Sequence, residues 1–189
     1  MRSEASGPAG SAKGAAAVPP APAPVLVLCV GSTLMGDDGV GLAVLERLRD
    51  GWILDGAELV DGGTWGMNVL PAIESAERLL LVDAIRAGKQ PGAVVRLEGD
   101  EIPRFFATKL SPHQIDLKEV LALAELRGTL PEVVALGVEP GRVELSTELS
   151  PEVEGALPEL VRRAVGVLRG WGVAVGEAAP SGGTAPCTR

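Results

Sequence analysis

The sequence predicts an α/β protein: a single three-layer domain with a mostly parallel sheet of about five strands and helices on both faces. Several apolar runs are each too short to form a helix. They are also too apolar for a strand that exposes one face to solvent. Between them lie longer segments whose apolar residues recur at helical spacing. This alternation favours a parallel sheet. At 189 residues the chain is long enough for one domain with a substantial core.

The predicted strands are mostly apolar on both faces, as expected for strands covered by helices on both sides. They are Val25–Val30, Leu59–Asp61, Leu79–Ile85, Val94–Leu97 and Val133–Val138. In sheets of this kind ligands bind beyond the carboxyl ends of the strands. Candidate functional residues are therefore sought where each strand ends.

The predicted helices lie between and after these strands. They are Val40–Leu48, Met67–Ala76, Ile115–Leu126 and Pro151–Leu168. The fourth shows the clearest pattern, because Val153, Leu157, Leu160 and Leu168 fall on one face of a helix. The third follows a sequence typical of a helix start, which is described below with its histidine.

Both ends of the chain differ in composition from the middle. Of residues 1–24, 19 are Ala, Pro, Gly or Ser, and such a stretch offers too little apolar area to offset the entropy of ordering it. We therefore predict a disordered Ala/Pro-rich extension over residues 1–24. Residues 173–189 are predicted to form a flexible C-terminal tail, which leaves residues 25–172 as the domain.

Composition excludes several classes of function. The chain has 17 Lys and Arg against 25 Asp and Glu, a net charge of -8, which excludes a general affinity for nucleic acid. No run approaches the roughly 20 apolar residues of a membrane-spanning helix, and residues 1–24 lack the apolar core of a signal peptide. Cys29 and Cys187 form neither a disulfide framework nor a metal-knuckle spacing. We expect a cytoplasmic monomer that contacts no membrane.

The first strand is followed by a glycine-rich loop, Gly31–Gly41. Such a loop could cradle a phosphate, but it lacks both the dinucleotide fingerprint and a Gly-Lys-Ser/Thr ending, and its paired aspartates would repel an anion. Asp37 is expected to cap the helix that follows, where free amides and the helix dipole favour an acid. Asp38 is either a second capping residue or a ligand.

The next two strand ends carry further carboxylates. Asp61–Thr64 reads Asp-Gly-Gly-Thr, which is typical of a turn and is weak support for chemistry. Asp83 ends the apolar run Leu79–Val82 and would stand at the rim of a buried strand. An ionised carboxylate is costly there without a partner. A metal ion or another cation would supply one, and so would the amides of a loop.

The chain contains a single histidine, His113. It lies in Ser111–Gln114, which has the form of a capping box with Ser at the N-cap, Pro at the first helical position and Gln at the third. His113 is therefore predicted in the first turn of a helix. The positive end of the helix disfavours imidazolium and favours the neutral ring, which a metal or a proton transfer requires.

Two carboxylates near strand ends and one imidazole at a helix start form a coherent set of metal ligands: Asp38, Asp83 and His113. Three protein ligands leave positions open for water or a substrate atom, as a hydrolytic metal site needs. The set suits Zn, Ni, Mn or Fe(II) and does not suit copper(I), because it offers no sulfur.

Seven segments, in order along Val25–Leu168, resemble the maturation endopeptidases of nickel-iron hydrogenases. The chain is most similar to the branch that serves membrane-bound uptake hydrogenases. The segments are VLVLCVGSTLMGDDGVG (25–41), DGGTWGM (61–67), LVDAI (81–85), PG (91–92), KLSPHQ (109–114), GVEP (137–140) and ELSP (148–151). Because many separated motifs occur in order, the resemblance is far more specific than any single motif.

The resemblance implies an endopeptidase that removes a C-terminal extension from the precursor of the hydrogenase large subunit after nickel has been inserted. It implies that the metal is nickel supplied by the precursor and that no organic cofactor is needed. The nickel-contacting and catalytic positions of the family correspond to Asp38, Asp83 and His113. A supporting role falls to Asp61, Gly62, Gly63, Thr64 and Gln114.

Two alternatives remain at this point. The chain could be a non-enzymatic nickel carrier or assembly factor, although a carrier would be expected to offer more soft or histidine ligands than this chain has. It could also be another metal-dependent α/β hydrolase, because a fold does not fix a function. Within the peptidase hypothesis, the attacking water could be polarised by the metal or by a carboxylate, and the metal could act mainly in recognition.

Overall fold

A five-stranded sheet forms the centre of the computed structural model, which describes residues 25–64, 66–102 and 112–178, with residues 112–116 described by their backbone alone. The strands of the described residues are β1 (Val25–Val30), β2 (Trp52–Asp55), β3 (Ala57–Gly63), β4 (Arg78–Ala84), β5 (Val94–Glu98), β6 (Glu132–Val138) and β7 (Ala174–Glu177). In the central sheet the order is β3-β1-β4-β6-β5. The first four are parallel to one another, and β5 is antiparallel to β6. The predicted α/β class and mostly parallel sheet are confirmed.

The helices alternate with these strands as the sequence predicts. They are α1 (Val40–Gly51), α2 (Leu70–Ser75), α3 (Pro112–Leu126) and α4 (Pro151–Gly170), with short 3₁₀ turns at Gly36–Gly39 and Gly66–Val69. The predicted helix over Met67–Ala76 is therefore a 3₁₀ turn followed by the shorter α2. None of the helices in the described part of the chain is long and apolar enough to span a bilayer.

The helices cover the sheet on both faces and create two cores. Alternate strand residues such as Val27 and Leu80 pack with α1 and α4 on one face, whereas Leu28 and Leu81 pack with α2 and α3 on the other. Burying each such side chain contributes about 1.5–3 kcal/mol relative to leaving it exposed. This alternation settles which face of the sheet each strand-end residue belongs to.

A second, two-stranded sheet was not predicted. The strands β2 and β7 pair antiparallel, with Trp52 opposite Glu177, and Val173 just before β7 is buried in the core of the α1 and α4 face. The predicted domain boundary at residue 172 is therefore wrong, because residues 173–177 belong to the fold. Such short strands carry little periodicity, and only their mutual pairing identifies them. Residues 1–24 and 179–189 of the predicted extension and tail lie outside the described residues.

Ending the chain after residue 172 is expected to lower the thermal midpoint of unfolding by about 3–10 °C. The cut removes β7 and uncovers the apolar surface that Val173 fills. Ending the chain after residue 178 keeps both and is expected to leave the midpoint unchanged. Circular dichroism melts of the two truncated chains and the full chain make the comparison. Equal midpoints for all three would show that β7 contributes nothing to stability.

Candidate active site

The topology of the sheet defines one crevice at its carboxyl edge. From β1 the chain passes to β3 on one side, and from β4 it passes to β5 and β6 on the other side. The connections after β1 and β4 therefore diverge, which makes the space between these two neighbouring strands the topological switch point. Ligands of open α/β sheets bind at such a point. Asp38 follows β1, and Asp83 lies at the end of β4.

Asp38 lies in the Gly36–Gly39 turn, between β1 and α1, and its side chain is buried at 2% exposure. Its Oδ2 accepts a hydrogen bond from the N–H of Ser32 at 2.9 Å. The loop can fold back this tightly because Gly31 has a φ of +126°, and a Cβ there would lie 1.9 Å from the Asp38 carbonyl oxygen. The turn also contacts β4, the strand that ends with the second aspartate.

Asp83 is the penultimate residue of β4 and is buried at 1% exposure. Its Oδ1 accepts a hydrogen bond from the N–H of Ala84 at 2.7 Å. Because Leu81 belongs to the core on the α2 and α3 face, the residue two positions later belongs to the same face. The structure thus places two buried carboxylates at the switch point, as the strand-end argument predicts.

The helix α3 begins at Pro112, so the predicted helix start is confirmed and His113 is its second residue. Leu117, one turn further, belongs to the same core as Val30 and lines a small cavity with Gly62 and Gly63. The first turns of α3 therefore lie at the carboxyl edge, on the face to which Asp83 belongs. The side chain of His113 lies outside the described residues.

The segment Asp61–Thr64 is not the predicted turn. Asp61, Gly62 and Gly63 are the last residues of β3, and only Thr64 lies in a turn. The strand continues because Gly62 leaves room for β1: a Cβ there would lie 2.7 Å from Cδ1 of Leu28. Thr64 shares the small cavity beside α3, whereas the Asp61 side chain is exposed. The side chain of Gln114, the other predicted supporting residue, is outside the described residues.

Asp37 does not cap α1, contrary to the prediction. The N-cap of α1 is Gly39, and no side chain caps this helix. The fully buried carboxylate of Asp37 instead accepts hydrogen bonds from Gly141, Arg142 and Ser150. Burial by itself would raise the pKa of Asp37, but these hydrogen bonds outweigh it and hold the pKa below its usual value.

Sequence reasoning missed a buried glutamate at the end of β6. Glu139 is 6% exposed, and its Oε2 accepts hydrogen bonds from the N–H groups of Ala87 at 2.7 Å and Lys89 at 3.0 Å. It therefore fixes the segment that follows Asp83. The rule that identified Asp83 would have found it, because Glu139 directly follows the apolar strand Glu132–Val138.

Cys29 is not suited to be a nucleophile. Its thiol is fully buried within the core of the α1 and α4 face. Burial, and then the negative charge of Asp61, raise the pKa of Cys29 far above its usual range. A thiol that stays protonated and out of reach of solvent cannot attack a peptide.

The described side chains include no group of three His, Cys, Asp or Glu residues close enough to hold a metal ion. What they do include is two buried carboxylates at the switch point, which can accept hydrogen bonds or contribute oxygen ligands to a cation. A groove of about 1120 Å³ lies on the α1 and α4 side and reaches Gly36 and Gly39 of the turn that carries Asp38.

Comparison with known proteins is consistent across sequence and structure. The family model described as hydrogenase maturation protease matches residues 42–167. The hydrogenase expression/formation protein HupD of Rhizobium leguminosarum bv. viciae is 39% identical over 172 residues, covering 89% of this chain and 84% of the relative. Hydrogenase 2 maturation protease of Escherichia coli (strain K12) is 36% identical over 152 residues, covering 79% and 93%.

The same relationship holds for solved structures. The hydrogenase maturating endopeptidase HybD from E. coli superposes with a TM-score of 0.78 at 34% identity, covering 82% of this chain and 97% of that protein. The hydrogenase maturation protease HybD from Thermococcus kodakarensis superposes with a TM-score of 0.62 at 29% identity, covering 77% and 99%. The resemblance noted in the sequence is thereby confirmed, and this chain belongs to the hydrogenase maturation protease family.

Proposed function

We propose that this protein removes the C-terminal extension of a nickel-iron hydrogenase large-subunit precursor after nickel insertion, and that it recognises the bound nickel with Asp38, Asp83 and His113. Membership of a family of maturation proteases supports the peptidase activity and disfavours a non-enzymatic carrier. The observation that carries the nickel proposal is the pair of buried carboxylates at the switch point between β1 and β4.

The chemistry of these residues suits a shared metal. Asp38 and Asp83 each accept a backbone hydrogen bond, and a carboxylate has further lone pairs with which it could contribute an oxygen ligand to a cation entering the crevice. His113 is the second residue of α3, and its ring in the neutral form would supply a nitrogen ligand. Two oxygens and one nitrogen leave part of the coordination shell of nickel open for the thiolates that the precursor already supplies.

In this proposal nickel is part of the substrate, and its main role is positioning. Contact with the three side chains fixes the neighbouring scissile peptide in the crevice. A water polarised by the metal or by one carboxylate attacks the peptide carbonyl carbon. The carbon–nitrogen bond then breaks, the new carboxyl group stays on the large subunit, and the released amine takes up a proton.

We further propose that the protein acts in the cytoplasm, as a monomer, without an organic cofactor. The described cysteine, Cys29, is a buried free thiol, which agrees with a reducing compartment. Elution volume and light scattering of the purified chain measure its oligomeric state, and a dimer would contradict this part of the proposal.

The direct test of the activity uses the large-subunit precursor from the same organism. The purified full chain is incubated with the nickel-loaded precursor, and both are weighed by mass spectrometry. We expect one new large-subunit mass, shortened at the C-terminus, together with the released peptide. An unchanged precursor mass in the presence of folded protein would overturn the proposed function.

A further inference from the structure

The turn that carries Asp38 is attached to a distant part of the chain, residues 141–150, which we call the clamp segment. The side chain of Asp37 makes four of the contacts. Its Oδ2 accepts hydrogen bonds from the N–H of Gly141 at 2.7 Å, the N–H of Arg142 at 2.8 Å and the hydroxyl of Ser150 at 2.9 Å. Its Oδ1 accepts one from the N–H of Ser150 at 2.6 Å.

Backbone hydrogen bonds join the same two segments. The N–H of Asp37 donates to the carbonyl of Arg142 at 3.1 Å, and the N–H of Gly36 donates to the carbonyl of Ser146 at 2.8 Å. The N–H of Ser146 in turn donates to the carbonyl of Leu34 at 3.0 Å. Asp38 is therefore the next residue after a stretch of backbone that the clamp segment holds in place.

The partners of Asp37 also explain why a carboxylate is required. Three of the four groups that face it are backbone N–H groups, which only donate, and the fourth is the Ser150 hydroxyl; an ionised carboxylate only accepts. An asparagine would direct its NH₂ group at one or more of these donors, whichever way the amide is turned. Ser150 is also the residue that precedes α4, so the clamp fixes the turn to the start of a 20-residue helix.

We propose that Asp37 is a positioning residue for the reaction: by binding the clamp segment, it holds the neighbouring Asp38 carboxylate at the switch point where nickel of the precursor is recognised. This inference rests on the proposed function. It assigns to Asp37 a role that a helix-capping aspartate would not have, because a capping residue tolerates asparagine well.

The test measures binding as well as cleavage, on the full-length protein. For each variant we define the nickel increment as the Kd for nickel-free precursor divided by the Kd for nickel-loaded precursor. We expect Asp37→Asn to lower this increment about 10-fold or more, because leaving buried donors unpaired shifts the turn. Asp38→Asn should lower it further, and the double variant should equal Asp38→Asn alone, since Asp37 acts only through its neighbour.

The matched control is Val165→Ala, which removes buried volume from α4 about four turns away from Ser150 and the clamp segment. It should lower the thermal midpoint and leave the nickel increment unchanged. An Asp37→Asn variant that keeps the wild-type increment, or that weakens both precursor forms equally, would overturn the proposal. If Asp37→Asn does not fold, Ser150→Ala decides, because it removes one donor and keeps the carboxylate: an increment lowered about threefold supports the clamp, and an unchanged one overturns it.

These outcomes separate the inference from the proposed function. If the wild-type protein neither cleaves the loaded precursor nor binds it more tightly than the empty one, the proposed function fails. If wild type does both and Asp37→Asn does the same, only the role of Asp37 fails.

Discussion

Asp38→Asn, Asp83→Asn and His113→Ala are each expected to reduce precursor cleavage by at least about 100-fold while the protein stays folded. The two aspartates are buried at the switch point, and the histidine opens the helix that reaches the same edge. If the three contact one metal, removing any of them misplaces the scissile peptide. Cleavage is followed by mass spectrometry, and circular dichroism verifies the fold of each variant.

The same variants test whether the three residues act as one unit. A double variant, such as Asp38→Asn with Asp83→Asn, should cost little more than either single one, because the shared contact is already lost. Glu58→Gln is the control: it also removes a carboxylate from a strand of the sheet, but an exposed one, and it should retain full activity. If the fold-reductions of the two single variants instead multiply in the double variant, at least one of the three residues has only a structural role.

The features of the site that can be predicted from the sequence are those that depend on patterns of neighbouring residues. The burial of Asp38 and Asp83 at the carboxyl edge is predictable because buried strands appear in the sequence as apolar runs, and because strand ends in parallel sheets meet at one edge. The start of α3 was identified because the pattern Ser-Pro-His-Gln is typical of a helix start. Each of these signals is contained within a few neighbouring residues.

The parts that sequence did not predict depend on contacts between distant residues. The partners of Asp37 lie 104 to 113 positions further along the chain, so its local setting before α1 suggested a cap instead. The strands β2 and β7 are defined by each other, across more than 100 residues. In Asp61–Gly63 the pair of glycines is typical of a turn, but Gly62 instead makes room for the side chains of Leu28 and Val30 in β1. No local propensity distinguishes these cases.

Cleavage is expected to depend on nickel that the substrate brings. The proposed ligands Asp38, Asp83 and His113 are two carboxylates and one imidazole, a set without thiolate, so the affinity of the free protein for nickel should be low compared with that of the cysteines of the hydrogenase. In the proposed mechanism the precursor presents the metal already fixed by thiolates, and the three side chains complete the coordination shell only when the scissile segment lies in the crevice. Cleavage of the precursor would thereby depend on prior insertion of the metal.

The experiment compares nickel-loaded and nickel-free precursor at equal concentrations and follows release of the C-terminal peptide with time. We expect release from the loaded form alone, with the empty form cut at least about 100-fold more slowly, because without the metal its scissile peptide is not held in place. Zinc-loaded precursor is the matched control: it carries a metal of the same charge on the same thiolates, so it separates recognition of nickel from recognition of any filled site. Equal cleavage of loaded and empty precursor would overturn recognition through Asp38, Asp83 and His113, and would leave the assignment as a peptidase intact.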